Sequence, residues 1–242
     1  MSRFGDSEDP RRRLLLQALA AGFFSGGVID PVIAQIFGDR PSRLPPGRSI
    51  YRVTGQATVN GQPATVDTKI AGGATLETGR NSEMVYAVGD SAFVMRGESK
   101  VIFQAAAPDS TILSGLRMLS GRLLSVFASG RPLQLQTKTA TIGIRGTGVY
   151  LESDPEQTYF CTCYGVADVQ ATDDPQSKDT VAAKHHDKPL YILSGASAGR
   201  NIRNAPFVNH TDQELMMVET LVGRVPPFIF PKADYTGPRR SY

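Results

Sequence analysis

Between Ile50 and Leu193 the chain is never far from a residue that turns it, and this spacing limits the fold more than any other feature. Turn residues recur about every eight to twelve positions, and the apolar residues between them sit in short, often alternating runs. Tyr51, Val53, Ala57 and Val59 lead into Asn60-Gly61, and 64–66 returns. Asn-Gly is a strong hairpin signal because both central residues of a type I′ turn need positive φ. Runs at 74–77, 84–88, 92–95 and 101–103 come next, the last two flanking Arg96-Gly97-Glu98-Ser99. Leu133, Leu135, Thr137 and Thr139 alternate, then Ile142, Ile144, Val149 and Leu151, and 158–164 and 191–193 complete the set. The 24 glycines and 16 prolines suit turns between short strands better than a helix bundle. The expectation is an all-β fold, a sandwich, roll or short β-helix of many short strands, with one short C-terminal helix.

Two segments need separate treatment. Apolar residues at 113, 116, 119, 123 and 127 suit a helix, but Gly115 and Gly121 interrupt it, and Leu123-Leu124-Ser125-Val126-Phe127 reads equally as a buried strand. A short helical turn near Ser110 and then strand is the expectation. Thr211-Asp212-Gln213-Glu214 is a capping box: the Thr hydroxyl accepts from the Glu214 backbone and the Glu carboxylate reaches back. Leu215, Val218 and Leu221 then share one helix face until Gly223 ends it.

The N-terminus carries an address. Arg11, Arg12 and Arg13 precede an apolar run from Leu14 to Ile29, rich in Ala and Gly, that stops at Asp30-Pro31. A basic start, a weakly apolar middle and small residues at the end, here Val32-Ile33-Ala34, make a secretory signal. Paired arginines directly before Leu14-Leu15 match a twin-arginine signal, which exports folded cargo. The rival is an uncleaved membrane anchor, for which the run is short and broken by Gly22, Gly26 and Gly27. Both place the body of the chain in the periplasm, free or on the periplasmic face of the inner membrane. The formal net charge is +3 and is unchanged without residues 1–34, which hold as many acidic as basic residues. A nearly neutral surface has no basic stripe for a phosphate backbone, so nucleic acid is excluded as a partner.

A family resemblance rests on three stretches: Gly73-Ala74-Thr75-Leu76-Glu77-Thr78-Gly79 with Ser82, Val88-Gly89-Asp90, and Thr141-Ile142-Gly143-Ile144-Arg145-Gly146-Thr147-Gly148. With the closing run Thr158 to Asp168, they resemble the FecR domain family over about residues 50–170. The resemblance implies a periplasmic all-β domain and an envelope protein as partner; many such domains are the outer part of a transmembrane regulator that relays siderophore occupancy to a sigma factor. That layout needs a cytoplasmic sigma-binding region ahead of the membrane, and only 1–10 precede the basic residues. A free-standing FecR-like binding or sensory module is therefore expected. Its organisation reads as an export signal (1–34), a Pro-rich linker (35–49), a β domain (50–205) and a helix with a Pro-rich tail (206–242). Within the motif, Gly143, Gly146 and Gly148 permit positive φ or close backbone approach. Arg145, between apolar neighbours, reads as a buried, paired hub, with Thr147 part of the same structural motif.

Cys161 and Cys163 are the only cysteines. Strand alternation puts both sulfurs on one face, with Cα atoms about 6.6 Å apart, the long edge of disulfide geometry. Two thiolates on one face can instead share a soft metal such as zinc or iron, at about 2.3 Å from each sulfur. His185 and His186 lie downstream, and only one of an adjacent pair can face the cysteines from an extended stretch; Asp187 is placed to support the ring or ligate. Two thiolates and one imidazole leave an open position on such a metal. Inert buried thiols and a redox disulfide are the competing readings. Asp173, Asp174 and Asp179 read as a solvated loop. Gly195-Ala196-Ser197-Ala198-Gly199 has the nucleophile-elbow pattern but no helix start after it and no correctly ordered acid and His, so a hydrolase at Ser197 is set aside and the chain is read as a non-enzyme.

Overall fold

The computed structural model describes residues 42–105, 107, 110–195, 198–225 and 227. The export signal, residues 35–41 of the linker, Ser197 and the tail beyond residue 227 fall outside them. The fold is essentially all-β, as the turn spacing predicts. Fourteen strands form one connected sheet: β1 (Ile50–Thr54), β2 (Ala57–Val59), β3 (Gln62–Pro63), β4 (Thr75–Thr78), β5 (Glu83–Val88), β6 (Ser91–Met95), β7 (Lys100–Ala105), β8 (Leu113–Val126), β9 (Pro132–Gln136), β10 (Ala140–Ser153), β11 (Gln157–Ala171), β12 (Lys178–Ala183), β13 (Leu190–Leu193) and β14 (Ile202–Asn204). A single helix, α1 (Asp212–Leu221), comes after them among the described residues. All the strand pairs are antiparallel except β8 with β9.

Local signals hold where they are strong. Asn60 (φ 53°) and Gly61 (φ 76°) make the two-residue turn between β2 and β3, which pair Val59 with Gln62. Thr211 caps α1 with the full capping box, and Gly223 (φ 75°) lies just beyond the helix. Segment 113–126 is strand throughout, and Ser110 lies in irregular backbone rather than a helical turn.

The strands are not uniformly short. β8, β10 and β11 run 14, 14 and 15 residues, and each changes partner along its length. β8 pairs with β7 up to Ser120 and with β6 from Leu123. β10 pairs with β9 up to Arg145 and with β8 from Gly148. β11 pairs with β13 through Phe160 and with β12 from Gly165. At the change of partner sit Gly121, Gly146 and Gly165, all with positive φ. Bends at these points fold the sheet over on itself. Gly121 shows why no side chain fits: a Cβ there would lie 2.4 Å from the Ser99 Cα, whereas one on Gly61 would meet nothing. Gly121→Ala should therefore destabilise the protein by at least about 2 kcal/mol, against about 1 kcal/mol for Gly61→Ala. Equal urea midpoints for the two variants would refute the bend argument.

Folding the sheet gives it two cores. Alternate residues of the central strands divide between them: Tyr86, Phe93, Leu123, Leu151 and Phe160 point into the inner cluster, where Phe93 stacks on Tyr86 (5.0 Å) and tilts against Phe103 (5.1 Å). Val85, Val94, Leu124, Tyr150, Tyr159, Cys161 and Cys163 point to the other face, covered by Leu215, Val218 and Leu221 of α1. Central strands are thus apolar on both sides, and β6 is buried at every position.

The structure corrects the reading of the 143–148 motif. Ile142 and Ile144 are buried, so alternation turns Arg145 outward; its side chain is 72% exposed and pairs with Asp168 at 3.1 Å. Gly146 has the positive φ, Gly148 lies against the Tyr164 ring, and Thr147 is fully buried. Gly143 has neither constraint. The buried, paired arginine is Arg96, in the turn after β6, bonded through Nη2 to both Glu214 carboxylate oxygens (3.1 and 3.0 Å) and through Nη1 to the Tyr150 hydroxyl (3.0 Å). Asp179, read as loop, lies on β12 opposite Val169 and pairs with Lys188 at 2.6 Å.

Candidate functional site

The outer core holds the chemistry. β11 presents Cys161 and Cys163 on one face, as alternation requires, and both are free thiols with no exposed surface. The turn between β12 and β13 brings His186 over them. Asp187 closes that turn by accepting from the backbone N–H groups of Lys184 (2.6 Å) and His185 (3.3 Å), so it shapes the loop and does not support the ring. The His186 N–H bonds the Cys163 carbonyl at 2.9 Å, and His186 has φ 53°. A non-glycine residue in that region costs of order 1–3 kcal/mol and persists where the surroundings over-determine it.

The third wall comes from the chain before α1. His210, fully buried, stacks on Tyr150 (4.4 Å, 18°) and meets Phe207 edge-on (4.6 Å). Its Nδ1 lies 2.7 Å from the Val208 carbonyl and its Nε2 3.2 Å from His186 Nδ1. Asp212, the first residue of α1, takes His186 Nε2 on Oδ1 (2.9 Å) and His185 Nε2 on Oδ2 (2.8 Å). Cys161 Sγ lies 3.4 Å from His186 Nδ1.

Of the four residues singled out in sequence, Cys161, Cys163 and His186 come together. His185 stands outside the group, behind Asp212, with its side chain 31% exposed. The fourth inner member is His210, so the position left open in the sequence reading is filled by protein. The donor atoms of Cys161, Cys163, His186 and His210 all lie within 4.8 Å of one another. A usable signal is present in the sequence: the chain has only three histidines and two cysteines, and four of these five meet here, while the fifth, His185, bonds the Asp212 carboxylate behind them.

Electrostatics couple the group. Burial works against the Cys161 thiolate, but the neighbouring Cys163, His186 and His210 outweigh it and hold that thiol well below its usual range. Burial, reinforced by the neighbouring Cys161, pushes Cys163 up. Burial also works against a charged His186, yet Asp212 and Cys161 raise it to about 9. His210 is lowered, by burial first. Asp212 is lowered: its two imidazole partners overcome its burial. Cys161, His186 and Asp212 stand in the order of a nucleophile, base and orienting acid, but a nucleophile must be reachable by its substrate, and Cys161 has no accessible surface.

Residues 74–167 match the family model described as FecR protein. The match opens just before β4 and closes within β11, taking in Cys161 and Cys163 but neither His186 nor His210. Two crystal structures of a candidate anti-sigma factor from Parabacteroides distasonis, at 2.50 and 1.65 Å resolution, are similar at TM-score 0.44. They are 11% and 10% identical over 61% of this chain and 73% and 74% of theirs. No curated protein matches the chain.

Proposed function

From its match to the FecR family model, we propose that the chain is an exported binding or sensory module of the cell envelope that signals through contact with another envelope protein. The single observation behind this reading is the family match over residues 74–167, which spans β4 to most of β11 and so takes in the central strands of both cores. The motif's outer surface offers positions for such contact. Arg145 and Val166 are register partners on β10 and β11, and both are exposed.

Export is tested at the arginine pair. Arg12→Lys with Arg13→Lys keeps the charge and removes the guanidinium groups that a twin-arginine receptor reads. The doubly substituted protein should stay in the cytoplasm of a Gram-negative host, as monitored by fractionation. Delivery to the periplasm at the parent's rate would overturn the twin-arginine assignment. Contact is tested by photo-crosslinking in intact cells from positions 145 and 166. A discrete adduct with one envelope protein is expected; no adduct from these or other exposed strand positions would overturn the interaction reading.

A further inference from the structure

Two hydrogen bonds decide what the inward ring nitrogens of the cysteine–histidine group can do. The Asp212 carboxylate and the Val208 carbonyl only accept, so His186 Nε2 and His210 Nδ1, at 2.9 and 2.7 Å from them, each carry the hydrogen. Each ring then turns its other nitrogen inward, and the two meet at 3.2 Å beside the Cys161 sulfur. Lone pairs at that distance repel unless a cation lies between them. A shared proton relieves one such contact, whereas four convergent donors, two sulfur and two nitrogen, make the ligand set of a metal. Imidazoles held by a carboxylate and a carbonyl behind them are the supporting arrangement that metal-binding histidines require.

We propose that Cys161, Cys163, His186 and His210 bind one tetrahedral ion of the zinc class as a closed structural site. Bond lengths of about 2.0–2.1 Å to nitrogen and 2.3 Å to sulfur put neighbouring donors of a tetrahedron about 3.3–3.8 Å apart. The edge between the His186 and His210 nitrogens, 3.2 Å, and that between the Cys161 sulfur and the His186 nitrogen, 3.4 Å, fit that figure with little adjustment, and all four donors lie within 4.8 Å of one another. A two-iron cluster with the same four ligands would hold its imidazoles on one iron and its thiolates on the other. Here a sulfur and an imidazole nitrogen are adjacent corners, so a single ion is specified. Four protein donors leave no position for water, which separates a structural site from a catalytic one.

The ion would staple the family-matched region to the C-terminal segments beyond it. Its thiolates come from β11 inside the matched residues, and its imidazoles come from the β12–β13 turn and from the segment leading into α1. Asp212, at the first position of α1, is a positioning residue: it orients His186 and ties the ion to the helix start.

The full chain, purified under reducing conditions, should carry about one zinc ion per chain by elemental analysis. After chelation it should take up cobalt(II) one to one, with the visible bands of tetrahedral cobalt and thiolate charge-transfer absorption in the near ultraviolet. Cys161→Ser and His210→Ala should each lower metal affinity by at least about tenfold, while His185→Ala keeps the zinc. Should the ligand variants fail to fold, the cobalt titration of the parent decides alone. A parent that is purified without zinc and gives no tetrahedral cobalt spectrum, or a folded His210→Ala variant that retains both, would overturn the proposal.

Discussion

Arg96→Ala should destabilise the protein by about 3–5 kcal/mol. Arg96 and Glu214 are each only 11% exposed, so removing the guanidinium leaves a buried carboxylate without its ion partner. The same group bonds the Tyr150 hydroxyl and the Asn209 carbonyl and lies over the Tyr150 ring at 5.1 Å. Arg96 therefore ties the turn after β6 to β10, to the segment before α1 and to the α1 capping box together. A surface pair contributes no more than about 1 kcal/mol, so Arg145→Ala, which breaks only its bridge to Asp168 on an exposed face, should be close to neutral. Urea denaturation of the two variants separates the cases. Midpoints that fall equally, or Arg96→Ala within about 0.5 kcal/mol of the parent, would show that the buried pair contributes little net stability.

The contrast between these arginines marks where sequence reasoning stops. Arg145 is conspicuous because it sits inside a motif with apolar neighbours, and strand alternation, applied strictly, turns it out: Ile142 and Ile144 are buried, so the residue after Ile144 faces solvent. Arg96 sits in a segment that reads as a turn, and its burial depends on α1, contributed by residues more than a hundred positions later. Local chemistry is legible where it closes on itself, as in the Asn60-Gly61 turn and the Thr211 capping box. The bends at Gly121, Gly146 and Gly165 are less so, because a glycine in a strand signals freedom but not which neighbouring strand is exchanged there. Asp179, at the start of β12, reads as loop because only Val181 and Ala183 of the strand's six residues are buried, too few apolar positions to reveal alternation.

The candidate site divides in the same way. The cysteine pair follows from alternation alone, and one of two adjacent histidines has to be excluded; the positive φ at His186 and the Asp187-closed turn decide which. His210 and Asp212 are hidden by a stronger local explanation. They flank and open a capped helix, where a short polar residue is expected for capping reasons. The tertiary fold gives them a second role by docking that helix over Cys161 and Cys163, a contact between segments about fifty residues apart.

Zinc should raise the stability of the chelated protein by about 4 kcal/mol once the free ion exceeds its dissociation constant roughly 1,000-fold, and His210→Ala should remove that dependence. The size comes from linkage: a site formed only when β11, the β12–β13 turn and the segment before α1 are packed together binds the folded chain and not the unfolded one. The absolute midpoint of His210→Ala is not the readout, since losing the ring also empties its stacked place against Tyr150 and Phe207. The readout is the difference between midpoints with zinc and with chelator, which should be large in the parent and near zero in the variant. Backbone hydrogen exchange localises the effect. Amides of 205–224 should lose protection on chelation, because that segment carries one ligand and, through Asp212, holds another. The inner core around Phe93 and Phe103, which touches no ligand, should keep its protection. If the parent's midpoint is the same in zinc and in chelator under reducing conditions, the four side chains are a packed polar cluster held by Asp212 and Val208, and no ion joins the C-terminal segment to the sheet.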